Sequence, residues 1–514
     1  MSLAIDGQPV GLYDLREAWQ HPVRVSVSDA ARERIVASNS LITDVAKSGK
    51  QVYGVNTGFG QLAQTRISDD DLVQLQENLI RSHSVGVGKL LPDDIVRLTM
   101  IMKIIALAQG YSGVRPELVD ALCAMVNNHI YPAIPSKGSV GASGDLAPLA
   151  HMAGALLGFG KVSVHGKSMA AADALEAAGL APLQLAPKEG LALLNGTQVS
   201  TALALSALFR AEHILAAAVT AGAMSADAIK GSDIPFDERI QQVRGHKGQV
   251  DIADLLRGFM SGSEIRASHI DCSRVQDPYS IRCQPQVAGA CLDVMRHVGQ
   301  LLRTEANAVT DNPLVFADTG AVLSGGNFHA QPVAFAADYL ALAIAEIGSL
   351  SERRIALLID AHLSGLPAFL VEESGLNSGF MMPQVTAAAL VSENKALAHP
   401  ASVDSIPTSA NQEDHVSMAT SAALRLHTML DNAANVVAIE LLAAAQGIEF
   451  HHPKKSSELL ELVVSEIREV SDRYVQDRSL SVDITTLAHL VNEGYFYSFA
   501  AAVLPSGADA PSHK

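Results

Sequence analysis

The sequence Lys137-Gly138-Ser139-Val140-Gly141-Ala142-Ser143-Gly144-Asp145-Leu146-Ala147-Pro148-Leu149-Ala150 places three small residues directly before an apolar segment. Asp145 is a favourable N-cap and a proline is tolerated in a first helical turn, so the pattern predicts a helix from Leu146 that ends at Gly158. Ala142-Ser143-Gly144 should then precede a helix N-terminus, whose partial positive charge favours an electron-rich or anionic group. A hydrolase nucleophile elbow is excluded, because G-x-S-x-G requires glycine where this chain has Asp145. Small residues in this order are also typical of a simple tight turn.

The composition predicts a large protein that is mainly α. The chain has 514 residues, of which 48% are hydrophobic and 4% aromatic. This length suggests more than one lobe, and the apolar content is sufficient for a large core. Scarce aromatic residues and abundant alanine favour long, closely packed helices over sheets. The formal net charge of -17 argues against a nucleic-acid or anionic-membrane partner.

The sequence predicts neither a targeting signal nor a membrane span. Residues 1–7 lack a basic n-region and an apolar h-region. The longest apolar stretches, such as residues 214–226, look too short or too polar to cross a bilayer. The four cysteines lack zinc-site spacing, which favours reduced thiols in the cytoplasm and no bound metal.

Helical periodicity dominates the chain after about residue 200. Residues 201–229 are apolar over a wide face, and the segment around residues 426–441 is predicted to end at a Gly447 cap. Residues 505–514 are small and polar and are expected to fray. Helices with wide apolar faces predict a bundle that is extended by subunit association. The predicted apolar stripes are Val333, Ala336, Ala337, Leu340, Ile344 and Ile347, and Leu426, Leu430, Ala433, Val437 and Leu441.

A glycine-rich segment, Gln51-Val52-Tyr53-Gly54-Val55-Asn56-Thr57-Gly58-Phe59-Gly60, is a second candidate site. Gly58-x-Gly60-x-x-Ala63 fits the loose dinucleotide fingerprint, which would indicate a Rossmann oxidoreductase. That fingerprint requires a helix to begin at the glycines, whereas a capping box at Ser68 starts the next helix later. Residues 81–88 also read as a loop where a second strand would be required. The sequence therefore argues against nucleotide binding.

The segment Gly138 to Ala150 resembles the prosthetic-group region of the aromatic amino acid ammonia-lyases. In that family, the tripeptide matching Ala142-Ser143-Gly144 cyclises to 4-methylideneimidazole-5-one (MIO). The amide nitrogen at the position of Gly144 attacks the carbonyl of Ala142, and Ser143 becomes an exocyclic methylidene. A glycine suits this reaction because it has no Cβ to hinder close backbone approach. The resemblance implies a self-made electrophile and no external cofactor.

Further motifs in family order imply the other site residues. The loop that begins at Tyr53 resembles the family loop whose tyrosine removes the substrate β-proton. Ser82-His83 matches histidine-specific members, whereas phenylalanine-specific members carry Phe-Leu and tyrosine-specific members His-Leu. Glu413 stands near the substrate ring, where phenylalanine- and tyrosine-specific members carry glutamine. A carboxylate at that position can accept an imidazole N–H and favour the cationic ring.

The remaining family positions have simple structural interpretations when each is considered in isolation. A helix cap would explain Asn195, an exposed proline-containing turn would explain residues 275–286, and core packing would explain Phe328 and Met381. The resemblance instead places Asn195 beside MIO, Gln276 and Tyr279 around the reacting amine, and Phe328 on the pocket wall. Arg282 would grip the substrate carboxylate bidentately, and Met381 would border the pocket. His329 matches a family histidine and receives no role.

The resemblance covers nearly the whole chain and implies an aromatic amino acid lyase fold of the fumarase-aspartase-like type. We expect an N-terminal lobe over residues 1–196, a long-helix bundle over 197–506 and a flexible tail over 507–514. The implied reaction converts L-histidine to trans-urocanate and ammonia, the first step of histidine degradation, in a homotetramer with shared active sites. Two alternatives remain open: a phenylalanine or tyrosine lyase or aminomutase of the same fold, and an inactive helical scaffold.

Overall fold

A computed structural model describes residues 2–47, 52–57, 67–68, 71–269 and 275–510. The chain is 62% helical, so the predicted mainly α class is confirmed. The helices, in chain order, are α1 (Leu12–Gln20), α2 (Asp29–Lys47), α3 (Leu72–His83), α4 (Asp93–Ala108), α5 (Pro116–Asn127), α6 (Leu146–Leu156), α7 (Ala171–Ala177), α8 (Glu189–Leu194), α9 (Gln198–Ala228), α10 (Glu238–Arg244), α11 (Lys247–Met260), α12 (Glu264–Ala267), α13 (Tyr279–Arg282), α14 (Gln284–Ala306), α15 (Gln331–Ile359), α16 (Ala361–Ser364), α17 (Met381–Leu397), α18 (Ala419–Glu449), α19 (Glu458–Val470), α20 (Ser481–Asn492) and α21 (Pro505–Ala508).

Short strands form small sheets at the edges of the helical core. The prediction of a loop over residues 81–88 was wrong, because α3 continues to His83 and a strand begins at Val87. This strand pairs antiparallel with a strand that ends at Lys137, directly before the small-residue segment. The pairs are parallel β1 (Ser2–Ile5) with β2 (Arg24–Val27), antiparallel β3 (Val87–Leu90) with β5 (Pro135–Lys137), antiparallel β4 (Ile130–Pro132), β6 (Lys161–Val164) and β7 (Lys167–Ala170) in the order β4-β6-β7, and antiparallel β8 (Leu314–Phe316) with β9 (Ala321–Leu323).

Three long helices, α9, α15 and α18, pack against one another and form the centre of the core. Every residue of the two predicted apolar stripes is buried, as the periodicity indicated. The predicted cap at Gly447 was wrong, because α18 continues to Glu449. A Cβ on Gly447 would lie 3.0 Å from the Cβ of Ala228, so this glycine allows α18 to approach α9 closely.

The same three helices are long and apolar enough to cross a membrane, judged by length and composition. This finding contradicts the expectation, drawn from residues 214–226, that the apolar stretches are too short or too polar. Within the fold, 94%, 61% and 83% of the most apolar windows of α9, α15 and α18 are buried. Most of their apolar surface is therefore used in packing inside the protein.

A buried ion pair links the three central helices. The Arg354 guanidinium on α15 donates to the Glu440 carboxylate on α18 over 2.8 Å, and the Ser225 hydroxyl on α9 donates to the same carboxylate over 2.7 Å. Both charged side chains are almost completely buried. The Glu440 carboxylate thus makes a buried polar contact with both neighbouring helices, and removal of one partner would leave an uncompensated charge in the core.

The chain end packs further than the sequence indicated. Residues 505–510, expected to fray, include α21, whose Ser506 backbone N–H donates to Glu212 over 2.8 Å. Asp509, within the tail expected from residue 507, accepts a hydrogen bond from the backbone N–H of Leu12 over 2.6 Å. These contacts attach the chain end to α9 and α1. Residues 511–514 lie outside the described residues.

His213 on α9 lies in the same region and is buried in its neutral form. Its Nδ1 lies 2.7 Å from the carbonyl oxygen of Asn492, and Arg16 donates to its Nε2 over 3.3 Å. Burial, with smaller contributions from Arg16 and Arg210, lowers the pKa of His213 to about 4. Protonation would place an imidazolium N–H against the Arg16 guanidinium.

The buried His213 should reduce stability in acid. As pH falls below about 6.5, the unfolded chain binds a proton at this position that the folded chain does not, so unfolding becomes more favourable. We expect His213→Gln to destabilise the protein less at about pH 5 than at about pH 7.5, with a difference of about 2 kcal/mol in denaturant unfolding. Burial raises the pKa of Glu212 to about 7, so the comparison between variants is required to isolate His213. An equal effect of the substitution at both pH values would contradict a neutral buried ring.

Candidate active site

The tripeptide Ala142-Ser143-Gly144 lies between β5 and α6, where the backbone makes a close approach to a second segment. Gly144 has a φ of 73°, and an added Cβ would lie 2.3 Å from the carbonyl oxygen of Gly196. The two glycines form a parallel backbone bridge, and the Asp145 backbone N–H donates to the Gly196 carbonyl over 2.8 Å. Position 144 therefore requires glycine both for its backbone angle and for lack of space.

The side chain of Asp145 caps a different helix from the one predicted. Helix α6 begins at Leu146 as expected, but the Asp145 carboxylate makes no cap hydrogen bond to it. Instead, the carboxylate accepts bonds from the backbone N–H and the hydroxyl of Ser200, in the first turn of α9, over 2.7 and 2.9 Å. The hydroxyls of Ser139 and Thr420 also donate to it over 2.9 and 2.8 Å. One buried carboxylate thus joins the tripeptide loop, α9 and α18.

Two further helices begin beside the loop. The backbone N–H of Ala330, before α15, donates to the Gly141 carbonyl over 3.2 Å, and the Ser417 hydroxyl, before α18, donates to the same oxygen over 2.9 Å. The backbone N–H of Met418 donates to the Val140 carbonyl over 2.8 Å. The N-termini of α6, α9, α15 and α18 therefore converge on the tripeptide, and their dipoles favour negative charge there.

Ser143 lies between two of the predicted site residues. The side-chain amide of Asn195 donates to the Ser143 carbonyl oxygen over 2.8 Å, and the Ser143 hydroxyl donates to Glu413 Oε1 over 3.2 Å. Among the described residues, Asn195 Oδ1 and Glu413 Oε2 are buried and have no hydrogen-bond partner. Buried polar atoms without a partner are costly, so both atoms are candidates to bind a group that enters the site.

Glu413 is held by an unusual turn. The backbone N–H of Thr408 donates to the Glu413 carbonyl over 2.9 Å, and this bridge closes a loop in which Ser409, Ala410 and Asn411 have φ of 49°, 55° and 68°. Left-handed conformations cost non-glycine residues about 1–2 kcal/mol each. Strain of this kind is typical of functional segments.

Tyr53, His83 and Phe328 lie on segments adjacent to these elements. Tyr53 is half-buried, and its neighbour Gly54 approaches the Leu191 side chain of α8, which directly precedes Asn195. Phe328 is half-buried two residues before the Ala330 contact with the tripeptide loop.

The glycine pattern at residues 58–63, which resembles a dinucleotide fingerprint, lies outside the described residues.

His83 is the last residue of α3. Its Nδ1 lies 2.9 Å from the carbonyl oxygen of Leu79 and 3.0 Å from the Ser82 hydroxyl. Burial lowers the pKa of His83, while the hydrogen bond to Leu79 acts in the opposite direction. A neutral ring at pH 7 can both donate and accept a hydrogen bond.

Two other predicted residues, Gln276 and Arg282, line a separate cavity. Gln276 and Arg282 line a cavity of about 680 Å³ with Lys230 and Arg266, and neither Ser143, Asn195 nor Glu413 is among its described lining residues. Tyr279 is 72% exposed, with the Arg282 guanidinium 5.0 Å above its ring. Met381 begins α17 and is exposed. A single chain therefore does not gather the whole predicted constellation.

Sequence reasoning missed one buried residue beneath the site, Lys103 of α4. Its side chain is completely enclosed, and its Nζ donates to the carbonyl oxygens of Ala192 and Asn195 over 3.1 and 2.9 Å. The signal in the sequence is a lone lysine within the apolar run at residues 100–108. A charge at a core position of a helix requires specific partners.

Comparison with known proteins gives matches along almost the whole chain. A family model described as aromatic amino acid lyase matches residues 10–469. The chain is 57% identical over 475 residues to a histidine ammonia-lyase of Legionella pneumophila subsp. pneumophila strain Philadelphia 1, covering 92% of this chain and 94% of that protein. The crystal structure of histidine ammonia-lyase from Trypanosoma cruzi matches with a TM-score of 0.90 and 41% identity, covering 99% of this chain and 97% of that one. Tyrosine aminomutase from Streptomyces globisporus matches with a TM-score of 0.92 and 34% identity, covering 98% and 99%.

Removal of the Asp145 carboxylate should destabilise the tripeptide loop, α9 and α18. Asp145→Ala leaves the Ser200 backbone N–H without a partner in the core, and we expect a loss of about 3 kcal/mol or more in the free energy of unfolding. Asp145→Asn retains an acceptor oxygen but loses the charge at the α9 N-terminus, which should cost roughly 1 kcal/mol. Denaturant unfolding measures both values. Asp173→Asn, an exposed carboxylate in the first turn of α7, is the matched control and should change stability by less than about 0.5 kcal/mol. Equal losses for the alanine and control variants would contradict the assigned cap.

Proposed function

Because the chain belongs to the aromatic amino acid lyase family, we propose that it is an ammonia-lyase that converts L-histidine to trans-urocanate and ammonia. The observation that carries this proposal is the position of Ser143 between the Asn195 amide and the Glu413 carboxylate, in a loop closed by Gly144. This arrangement combines a tripeptide able to form an electrophile with a carboxylate suited to an imidazole ring.

The residues of the loop fit the MIO group. Ring closure bonds the Gly144 nitrogen to the Ala142 carbonyl carbon and releases the Ala142 oxygen as water, and loss of the Ser143 hydroxyl with its α-hydrogen releases a second water. The positive φ of Gly144 and the buried position of Ala142 suit a compact turn. When formed, the group supplies an electrophilic methylidene carbon at position 143. Asn195, as the donor to the Ser143 carbonyl oxygen, would withdraw electron density from it.

Recognition of the substrate ring is assigned to Glu413 and His83. Glu413 Oε2 is buried without a partner among the described residues, so it is available to accept an imidazole N–H. A carboxylate also favours the cationic form of the ring. Because His83 Nδ1 donates to the Leu79 carbonyl oxygen, Nε2 of the neutral ring is a further hydrogen-bond acceptor. Phenylalanine has no ring donor for a carboxylate, and the tyrosine ring has a donor but cannot become cationic, which favours histidine over the alternatives of the same fold.

Proton transfer and carboxylate binding are assigned to Tyr53 and Arg282. Tyr53 acts as the base that takes the substrate β-proton. Arg282 offers a fork that matches the substrate carboxylate, with Gln276 and Tyr279 next to it around the amine. These residues and an intact tripeptide argue against an inactive scaffold.

We further propose a homotetramer in which another subunit completes each site. The cavity of Gln276 and Arg282 is separate from Ser143 within one chain, and Tyr279 is largely exposed. On α15, Phe335, Tyr339 and Leu342 recur with helical spacing and are each about half exposed. An apolar exposed face of this kind is typical of an association surface.

The cytoplasm is the proposed location. Cys123, Cys283 and Cys291 are free thiols. Free cysteines are usual in a reducing compartment.

The proposed function predicts that the protein forms product from L-histidine but not from L-phenylalanine or L-tyrosine. Purified protein mixed with L-histidine should show rising absorbance at the urocanate band, whereas L-phenylalanine and L-tyrosine should give no product. Ser143→Ala removes the hydroxyl that must be eliminated and should abolish the reaction. Product from phenylalanine or tyrosine alone would favour the other members of the fold. Inactivity with all three, combined with an unmodified intact mass, would favour the scaffold.

The second prediction concerns the substrate ring. Glu413→Gln removes a charge-assisted hydrogen bond to the imidazole, so kcat/KM for histidine should fall about 10- to 100-fold. The melting temperature should change little, because Glu413 forms no ion pair with any residue that the structure describes. Asp414→Asn is the matched control, since Asp414 is the exposed neighbour on the same loop. Unchanged histidine kinetics in Glu413→Gln would remove this residue from substrate recognition.

A further inference from the structure

Lys103 has no role in the proposed chemistry, yet it bonds to Asn195, which in turn bonds to the tripeptide loop. Lys103 is 1% exposed, and its Nζ donates to the carbonyl oxygens of Ala192 and Asn195. These oxygens belong to the C-terminal end of α8, where unpaired carbonyls carry partial negative charge. The nearby carboxylate of Asp311 is hydrogen-bonded to Lys188 over 2.9 Å. Lys103 is thus held by backbone oxygens.

Burial of this amine is costly, because a charged group loses its hydration inside the core. Burial lowers the pKa of Lys103 to about 8, against the opposing influence of Asp311 and Asp145. An apolar side chain would fit the surrounding run of residues 100–108 at lower cost. A purely structural explanation would be a cap for α8, a helix of six residues.

Two consecutive residues, Asn195 and Gly196, connect Lys103 to the tripeptide. The Asn195 carbonyl binds Lys103, while the Asn195 side-chain amide donates to the Ser143 carbonyl. The next residue, Gly196, accepts from the Asp145 N–H and forms the backbone bridge to Gly144. Gly196 has a φ of 140°, a conformation that glycine adopts freely, so the Asn195-Gly196 peptide needs an external contact to fix its plane.

We propose that Lys103 is a positioning residue for ring closure, which holds the Asn195-Gly196 peptide so that the Gly144 nitrogen remains against the Ala142 carbonyl. This inference rests on the proposed function, because it presupposes that MIO forms. Lys103 makes and breaks no covalent bond and transfers no electron. Its effect is on the rate at which the tripeptide loses two waters, since alignment of reacting atoms lowers the barrier to an intramolecular reaction.

Time-resolved intact mass tests the proposal without an activity assay. The chain is produced by cell-free synthesis, and soluble protein is sampled for the fraction that has lost two waters. Lys103→Met should fold but cyclise about 10- to 100-fold more slowly than the unsubstituted chain. Lys103→Gln retains an N–H donor and should recover part of the rate. Hydrogen exchange at residues 192–196 should be faster in the methionine variant.

Lys188→Met is the matched control. Lys188 is equally buried, donates to the Ser112 carbonyl and to Asp311, and makes no hydrogen bond to the tripeptide loop within the described part of the chain. The Lys188→Met variant should lose at least as much stability as Lys103→Met but should cyclise as fast as the unsubstituted chain. Equal cyclisation in Lys103→Met and the unsubstituted chain would overturn the positioning role. If Lys103→Met does not fold, Lys103→Gln replaces it in the test. The positioning role would then be overturned if Lys103→Gln cyclised as fast as the unsubstituted chain while hydrogen exchange at residues 192–196 was faster. An unsubstituted chain that keeps its full mass would instead overturn the proposed function.

Discussion

The close approach of Gly144 to Gly196 is the constraint on which the site depends. Position 144 has no room for a side chain, because a Cβ there would lie 2.3 Å from the Gly196 carbonyl oxygen. At position 196 a Cβ would meet side-chain atoms of Gln198 and Thr310, and the φ of 140° favours glycine. The contact brings the first turns of α6 and α9 side by side. Asp145 then serves both segments, because its backbone N–H holds the bridge while its carboxylate caps α9.

The long helices act on the site through their ends. The ion pair of Arg354 and Glu440 connects α15 to α18 deep in the core, and the N-termini of both helices bond to Val140 and Gly141. Alignment errors in the core would therefore displace the tripeptide loop. Convergent helix dipoles provide a fixed positive potential that needs no reorganisation when negative charge develops. The bundle is thus both the scaffold and part of the electrostatic environment.

The sequence predicted features that depend on contiguous residues and failed where distant segments meet. Periodicity found the stripes of α15 and α18, and the tripeptide motif is continuous. Gly447 was misjudged because a cap and a close helix contact both favour glycine. Residues 81–88 were misjudged because the partner of β3 lies near residue 137. The acceptor role of Asp145 toward α9, the position of Lys103 and the separation of Arg282 from Ser143 all depend on tertiary contacts that no local pattern encodes.

The strained turn at residues 409–411 places Glu413, the residue proposed to bind the substrate ring, outside the helical architecture. Glu413 is carried by a loop that a single backbone bridge from Thr408 closes, outside the helices that form the core. Mutations in this loop can change the chemistry offered to a substrate ring without repacking the bundle. The chain matches the structure of a tyrosine aminomutase with a TM-score of 0.92 at 34% identity. Conservation of the fold at this identity is consistent with a helical bundle that does not depend on the residues of this loop. Substitutions that accumulate in this loop can therefore change substrate specificity at a small cost in stability, because the loop lies outside the helices of the core.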